Sequence, residues 1–424
     1  MSSLFTKTAV LIFVLGGSLQ AFSQTRSISV SNKSSLVLKD KAIAVTRAGL
    51  PGAEEGKFPL ILTASGDTIP SQLDDINGDR KWDELFFVLD LAPKQKLKLS
   101  LNWVNFVPEF TMRTSVRFGK RSSATLPVQP KVADTAYIDE MPKKIGYQPY
   151  QTDGPSWEND KVGFRHYFDG RNAKDLFGKR VTWMSPETVG LTAQGAVEDN
   201  YHVLKDWGRD VLPVGNSIGL GGVALLVKDS LARLGVTVND TRNNIKSTSF
   251  HIYSEGPVRS VINFHYMDWS TQGRVYQVNE TPMIWPGMHA YQNTVRVSGL
   301  KGDESLLVGL PDVSNDGPLT EVNIGDWTLL YTHDKQSYNK EFWLGLALLV
   351  PKKAYQGSIT APTTGNLSSS YLAKLKISEN KPVTYYAVGG WELADPGFIN
   401  PQYFRNYVTG LAHQLSAKVK VKIE

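Results

Sequence analysis

Apolar and polar residues alternate one by one along much of this chain. The stretches "SLVLKDKAIAVT" (35–46), "KLKLSLNWV" (96–104), "SVRFGK" (115–120) and "ARLGVTVND" (232–240) show it, with turn residues at short intervals between them. A side-chain period of two is strand geometry, whereas a helix repeats every 3.6 residues. The chain therefore reads as all-β. Residues 24–118 suit an N-terminal β-sandwich. Residues 119–155, rich in Ser, Pro, Lys and Asp, read as a linker or surface excursion. Residues 156–424 form a second β pattern, too long for one ordinary sandwich and suited to a double-layered super-sandwich. One helix is expected near the C-terminus: Asn400 caps it, Pro401 fits its first position, and Phe404, Val408, Leu411 and Leu415 share a face. "AKVKVKIE" then alternates as a closing strand with Val419, Val421 and Ile423 on one side.

The first 23 residues combine Lys7, a short apolar run from Ala9 to Leu15, and small residues leading to Ser23 and Gln24. That is the pattern of a secretory signal peptide, and the run is too short for a membrane span, which takes about 20 apolar residues. The expected location is outside the inner membrane, periplasmic or extracellular, with no membrane span. The chain has no cysteine, which excludes a lipoprotein anchor, disulfides and thiolate metal sites. A net charge of +5, spread among interleaved acids, lacks the concentrated basic face of a nucleic-acid binder. With 10 Trp and 17 Tyr, an exported protein of this charge suits an acidic oligosaccharide: rings stack on sugars and cations hold carboxylate or sulfate.

Several motifs bear on chemistry. Asp75, Asn77, Asp79 and Asp83 follow the D-x-N-G-D-x-x-x-D spacing of an oxygen-rich loop, which predicts either a structural calcium ion or an Asx-rich turn. "GNSIG" (215–219) matches a nucleophile elbow, but no helix follows it, so Ser217 is set aside. "GLGGVA" fails as a dinucleotide fingerprint for the same reason. The seven histidines, at 166, 202, 251, 265, 289, 333 and 413, show no zinc spacing.

"GPSWENDKVGFRHYFDGR" (154–171) is the stretch densest in reactive side chains. As a strand it puts Val162, Phe164, His166 and Phe168 on one face, and Gly163, Arg165, Tyr167 and Asp169 on the other. The first face is a core; the second has the composition of a binding groove. "NYHVLKDWGRD" brings Tyr201, His202, Lys205, Arg209 and Asp210 together, and "NETPMIWPGMHAYQN" holds Glu280, Trp285 and His289. His202 beside Tyr201 is the leading acid–base pair, with His166 behind it and His265, in "NFHYMDW", in reserve. His333 and His413 read as structural.

The blocks "DINGDRKWDELFFVLDL", "WENDKVGFRHYFDGRNAKDLFGKR", "DWGRDVLPVGNSIGLGGVAL" and "SEGPVRSVINFHY" resemble those of a secreted Bacteroidetes family catalogued as domain of unknown function 4861. The resemblance covers nearly all of the chain after the leader. It implies a large domain similar to the galactose-mutarotase-like super-sandwich. It also implies a role in polysaccharide breakdown, since the family includes an enzyme of ulvan degradation that removes water from a non-reducing-end uronic acid. That reaction is a β-elimination. A base takes the C5 proton, an acid helps the C4 hydroxyl leave, and a cation must meet the sugar carboxylate where charge develops. On the residues alone, Arg165 is the expected cation, with Lys205 or Arg209 as alternatives. His202 is the expected base, and Tyr201, Tyr167 or His166 the acid. Trp157 and Trp285 would stack on sugar rings, while Glu158, Asn159, Asp210, Glu280 and His289 complete the binding set. No cofactor is required. A polysaccharide lyase would use the same groups. A glycoside hydrolase would need two carboxylates, for which Glu158, Asp210 and Glu280 are candidates. A non-catalytic carbohydrate-binding protein is the third class.

Overall fold

The structure, a computed structural model, describes residues 26–50, 53, 56–140 and 149–424. The expected signal peptide lies outside the described residues. The protein is nearly all-β, built from antiparallel sheets, with a single α-helix, Pro401–Ser416, among the described residues. No helix there is long and apolar enough to cross a membrane.

The N-terminal sandwich pairs a five-stranded sheet with a three-stranded one. The first runs in the order Val419–Ile423, Arg26–Asn32, Lys96–Val104, Phe58–Leu62, Thr68–Ile69; the second is Leu38–Thr46, Glu84–Leu91, Ser71–Asp74. In "KLKLSLNWV" the alternation buries Leu99, Leu101 and Trp103 against Ile28, Val30, Ile43, Leu85 and Phe87. The run "ELFFVLDL" does not alternate because both its faces are covered. Leu85, Phe87 and Leu89 enter this core, while Phe86 and Val88 enter a second one shared with the helix. That strand carries the small sandwich on the large one.

The larger unit stacks a nine-stranded sheet on two five-stranded sheets. The nine strands run Ala133–Tyr137, Ser247–Glu255, Ser260–Thr271, Arg274–Ile284, Ala290–Ser298, Val383–Trp391, Leu344–Pro351, Trp327–Asp334, Thr320–Ile324. One facing sheet runs Gly208–Asp210, Lys174–Lys179, Val162–His166, Ser156–Asn159, Thr114–Arg117; the other runs Ser230–Arg233, Val223–Val227, Glu304–Pro311, Ser370–Lys376, Tyr355–Thr360. One core joins all three, with Trp157, Phe164, Leu176, Leu225, Phe264, Tyr291, Leu306 and Leu348 among its members. The helix covers part of the outer face of the nine-stranded sheet through Phe404, Val408 and Leu411, and Asn400 accepts hydrogen bonds from the amides of Gln402 and Tyr403.

Three pairings run across the divisions suggested by the sequence. Val419–Ile423 closes the N-terminal sheet beside Arg26–Asn32, Thr114–Arg117 pairs with Ser156–Asn159, and Ala133–Tyr137 edges the nine-stranded sheet. In "ARLGVTVND" the strand stops at Arg233. Gly235 takes φ 92° there, and a Cβ on it would lie 2.1 Å from the Gly170 carbonyl oxygen.

The core also contains an ion pair with no exposed side-chain surface. The Lys174 ammonium donates to both Glu280 oxygens at 2.8 and 2.7 Å, and Tyr266 Oη and Asn293 Nδ2 donate to the same carboxylate. Burial pulls the Lys174 ammonium down, and Glu280 pulls it back up. Removing one partner of such a pair leaves a bare buried charge, which costs about 3–5 kcal/mol. Lys174→Met is expected to lower unfolding stability in urea by that amount, and adding Glu280→Gln should recover much of it. An unchanged midpoint for the single variant would contradict a structural role for the pair.

Candidate functional site

The alternation that fills the core leaves a polar outer face on the nine-stranded sheet. In Arg274–Ile284, Tyr276, Val278, Glu280 and Ile284 are buried, whereas Gln277, Asn279, Thr281 and Met283 are half-buried on the opposite side. The register sets rows across strands: His265 pairs with Asn279 and Asn279 with Arg296, and next to them Thr281 pairs with Thr294. These residues floor a cavity of about 550 Å³, within the usual range for a small-molecule site. Tyr253, Asn263, Ser298 and Asn380 join the lining, and Ile76 and Asn77, from the loop after the Ser71–Asp74 strand, wall one side. That loop is anchored next to the cavity. Arg259 Nε donates to Asp74 at 2.6 Å, the Gln72 amide oxygen accepts from the Val258 and Arg259 amides, and Gly78 packs so close to Tyr253 that a Cβ on it would lie 2.5 Å from the ring.

The chemistry of the lining is uneven. Amides and hydroxyls dominate, and they hold one another: Asn263 Nδ2 reaches Asn279 Oδ1 at 2.9 Å and Thr281 Oγ1 at 3.1 Å. Arg296 is exposed, donates only a 3.4 Å hydrogen bond to the Asn380 carbonyl, and has no ion-pair partner among the described residues. His265 has no hydrogen bond to its ring among them. Burial lowers its imidazole below the usual range, and Asp268 pulls the other way. Burial, aided by Asp75, raises the Tyr253 phenol. No carboxylate lines the cavity among the described residues. One free guanidinium, one imidazole and a ring of amides suit an anionic polyhydroxylated ligand.

The side chains expected to be catalytic gather elsewhere, on the outer face of the Val162–His166 sheet. Arg165 is the hub. It donates to Asp175, to Asp210 at 2.8 Å, to Tyr167 Oη at 2.6 Å and to the Thr152 carbonyl at 3.1 Å. Its side chain has no exposed surface, so the role of a substrate-facing cation does not fit it. Burial opposes its charge, but Tyr167, Asp175 and Asp210 outweigh burial and keep it protonated. Burial and the adjacent Asp175 push the Asp210 carboxyl well up, while Arg165 pulls it down. Tyr167 Oη donates to Asp175, and Tyr201 Oη donates to Asp153 at 3.1 Å. His202 lies at the edge of this hub, partly exposed. Its Nδ1 is 3.3 Å from Asp210, its Nε2 is 3.2 Å from Asp199, and its ring stacks near Tyr338. Arg209 is committed to Glu341 at 2.8 Å, and Lys205 is exposed on the adjoining turn.

The remaining candidates are structural by their contacts. Trp157 is buried against Phe164 and Tyr291, so it cannot stack on a sugar. Glu158 is paired with Lys179 and with Ser185. Asn159 ties the Trp285 and Met288 carbonyls to the amides of Lys161 and Val162. His166 is packed on Phe264 in the core, where burial and then Lys174 push its imidazole well down, so it is a poor proton donor. Glu280 belongs to the buried ion pair. Trp285 is mostly buried next to the C-terminal helix. Ser217 is buried and bonded to the Val214 carbonyl. In the acidic loop, Asp75 accepts from the amides of Asn77, Gly78 and Arg80, Asp79 from Lys81, and Asp83 from Ile76 and the Asn77 side chain. Those bonds form the Asx-rich turn. The described residues place no group of three or more His, Cys, Asp or Glu to share an ion.

The stacked sheets and the polar outer pocket define the class, an antiparallel β super-sandwich with an appended sandwich. The chain belongs to the family described as a domain of unknown function, DUF4861, which it matches over residues 30–421. It is similar to uncharacterized protein P7 of Formosa agariphila, at 23% identity over 420 residues, covering 95% of this chain and 94% of the relative. Among solved structures, an alpha-mannosidase from Enterococcus faecalis V583 aligns with a TM-score of 0.50 at 9% identity, over 94% of this chain and 46% of that one. A glycosyl hydrolase family 38 protein from the same species gives 0.48 at 9% identity, over 94% and 47%. The chain spans about half the length of these two, and the likeness to the alpha-mannosidase is one of fold.

His289, expected to bind substrate, is instead packed edge-on against Phe398 and Tyr407, with Nδ1 lacking a partner. Burial, then the Lys161 charge, pull its imidazole down to about 4. It stays neutral in the fold while the unfolded chain takes up a proton near pH 6.5. Its stabilising effect is therefore complete above that pH and is lost as pH falls towards 4. The loss is at most about 3.5 kcal/mol, at roughly 1.4 kcal/mol per pH unit. His289→Leu should narrow the gap between urea midpoints measured at pH 7 and pH 4.5; an equal gap in both proteins would place the titration elsewhere.

Proposed function

We propose that this protein is a carbohydrate-active enzyme of acidic-polysaccharide breakdown. In this reading it eliminates water from a non-reducing-end uronic acid, as in ulvan-type oligosaccharides, and acts outside the inner membrane. The observation that carries the reading is the unpaired Arg296 sharing a carboxylate-free pocket with His265. An arginine holds a carboxylate through two parallel hydrogen bonds, and pairing there stabilises the charge that builds up when the C5 proton leaves. His265 and Arg296 lie two strands apart, about 10 Å at the backbone given the usual spacing, which leaves room for one sugar ring between their side chains.

In this reading His265 takes the C5 proton as a neutral imidazole. Tyr253, kept protonated by its raised pKa, gives its proton to the departing C4 oxygen, which leaves as water. The electron pair of the C5–H bond becomes the C4–C5 double bond. Asn263, Asn279 and Thr281 hold the remaining hydroxyls. No organic cofactor enters these steps. A lyase would differ only in expelling a sugar oxygen. Retaining or inverting hydrolysis by paired carboxylates finds no such pair in the lining among the described residues.

The test is to treat saturated uronate-ended oligosaccharides with the purified protein and follow ultraviolet absorbance and product mass. Elimination of water gives rising absorbance and the loss of one water with no chain cleavage. Cleavage with rising absorbance would make the enzyme a lyase, and shorter products without absorbance would overturn elimination. His265→Gln should lower kcat by about 10²–10⁴-fold, and Arg296→Met should raise KM for uronates. Because burial lowers the His265 pKa, the acid limb of kcat/KM is expected below the ordinary histidine range. Asp268 raises that pKa, so Asp268→Asn should move the limb to lower pH; a shift to higher pH would exclude His265 as the base.

A further inference from the structure

A second cavity, of about 230 Å³, lies between the Leu38–Thr46 strand and the C-terminal helix. Its walls include Trp285 and Tyr407, with Asn406 and Gln414 at the polar rim. Three features set it apart from an ordinary gap between elements.

The first is a β-bulge. Pairing of Leu38–Thr46 with Glu84–Leu91 slips between Leu38 and Lys41, and Asp40 takes φ 42°. Bulges re-aim side chains. This one turns Asp40 onto Arg113, which grips both its oxygens at 2.7 and 3.0 Å, and leaves Lys41 lining the cavity.

The second feature is charge. Asp40 is neutralised by Arg113, and Lys39 by Asp90 at 2.6 Å. Lys41 donates to the Gln414 carbonyl at 2.6 Å and has no ion-pair partner among the described residues. It is the one uncompensated charge in the lining among the described residues. Burial pulls its ammonium down to about 8. A lysine needed only to cap a helix end would do so from the surface without that penalty.

The third feature is Gly410. It lies mid-helix and lines the cavity, and a Cβ built on it would meet nothing within 4 Å. Glycine in a helix interior costs about 1 kcal/mol relative to alanine. No neighbour in the fold requires its small size, so the open space above it is what the glycine preserves.

We propose that this cleft is a second saccharide-binding site, separate from the pocket on the sheet, which takes one carboxylated sugar unit. The carboxylate meets Lys41, the ring lies over Gly410 against Trp285 and Tyr407, and Asn406 and Gln414 take hydroxyls. The ligand class follows from the cleft's own cation and aromatic walls and does not depend on the reaction proposed for the pocket.

The test uses sodium glucuronate as probe, in calorimetric titrations of the full chain, with methyl glucoside as the neutral comparison. Arg296→Met, which disables the pocket, should still bind glucuronate. Adding Lys41→Met or Gly410→Leu to it should weaken that binding at least tenfold, with methyl glucoside at least tenfold weaker throughout. Between pH 8 and 9 binding should take up a proton, seen as heat that depends on buffer ionisation. Leucine is a better helix former than glycine, so an unchanged or raised Tm for Gly410→Leu confirms that the loss is one of space. Binding that disappears with Arg296→Met alone, or survives Gly410→Leu, would overturn the second site. Failure of the pocket's reaction shows differently, as no product from the unsubstituted protein while glucuronate still binds the cleft.

Discussion

The arrangement rests on the register of the Arg274–Ile284 strand. Its side chains alternate between the core and the outer pocket, so a slip of one residue would exchange the two sets. The slip would carry Asn279 and Thr281 into an apolar core and turn Glu280 outward, away from Lys174. A buried ion pair adds little net stability over apolar residues, but it penalises every arrangement in which one partner is left alone. Lys174 comes from the facing sheet, so the Lys174–Glu280 contact fixes both the register of the strand and the stacking of the two sheets. Asn263, which donates to the Glu280 carbonyl at 3.1 Å as well as to Asn279, transmits that register directly to the pocket floor.

The other polar hub has a different logic. Arg165 gathers Asp175, Asp210, Tyr167 and the Thr152 carbonyl, and Asp153 stands 3.7 Å away. Both terminal nitrogens of the guanidinium are matched by acceptors already in the fold, and only Nε has no partner among the described residues. A substrate carboxylate arriving there would have to displace an aspartate and leave it buried and unpaired. The hub instead joins the Val162–His166, Lys174–Lys179 and Gly208–Asp210 strands to the loops at Thr152 and Tyr201. In the pocket the balance is reversed: Arg296 is exposed and has a weak bond to one carbonyl, so a ligand anion displaces no aspartate.

That contrast explains what was legible in the sequence. The β architecture could be read because alternation reports burial directly, and Asn400, Pro401, Phe404 and Val408 marked the helix by capping and period. The parity of Val162–His166 was also readable: Phe164 and His166 enter the core and Arg165 faces the other way. Whether that other face was open could not be read, because a closed ionic network and an open site have the same composition. The cover comes from Thr152, Tyr201 and Asp210, whose approach depends on tertiary structure. The pocket was less visible because its floor is assembled from three strands, each giving two plain residues: Asn263 and His265, Asn279 and Thr281, Thr294 and Arg296. His265 stood out alone; the amides around it signal a site only once neighbouring strands are laid side by side.

Trp285 shows how a correct residue type can be set in the wrong place by sequence proximity. It sits five residues from Glu280 and four from His289, so the three read as one cluster. In the fold the strand ends at Ile284, and Pro286 and Gly287 turn the chain back into the neighbouring Ala290–Ser298 strand. Glu280 therefore lies in the core, while Trp285 faces the C-terminal helix and the bulged Leu38–Thr46 strand. Its aromatic surface thus belongs to a contact between the small sandwich and the large one. Two of the cavities that hold a cation with no ion-pair partner among the described residues, at Arg296 and at Lys41, both border that contact. The first is walled by the loop of Ile76 and Asn77, and the second by the bulge at Asp40. The small sandwich is accordingly more than an appendage, because it supplies one wall of each place where an acidic sugar could be held.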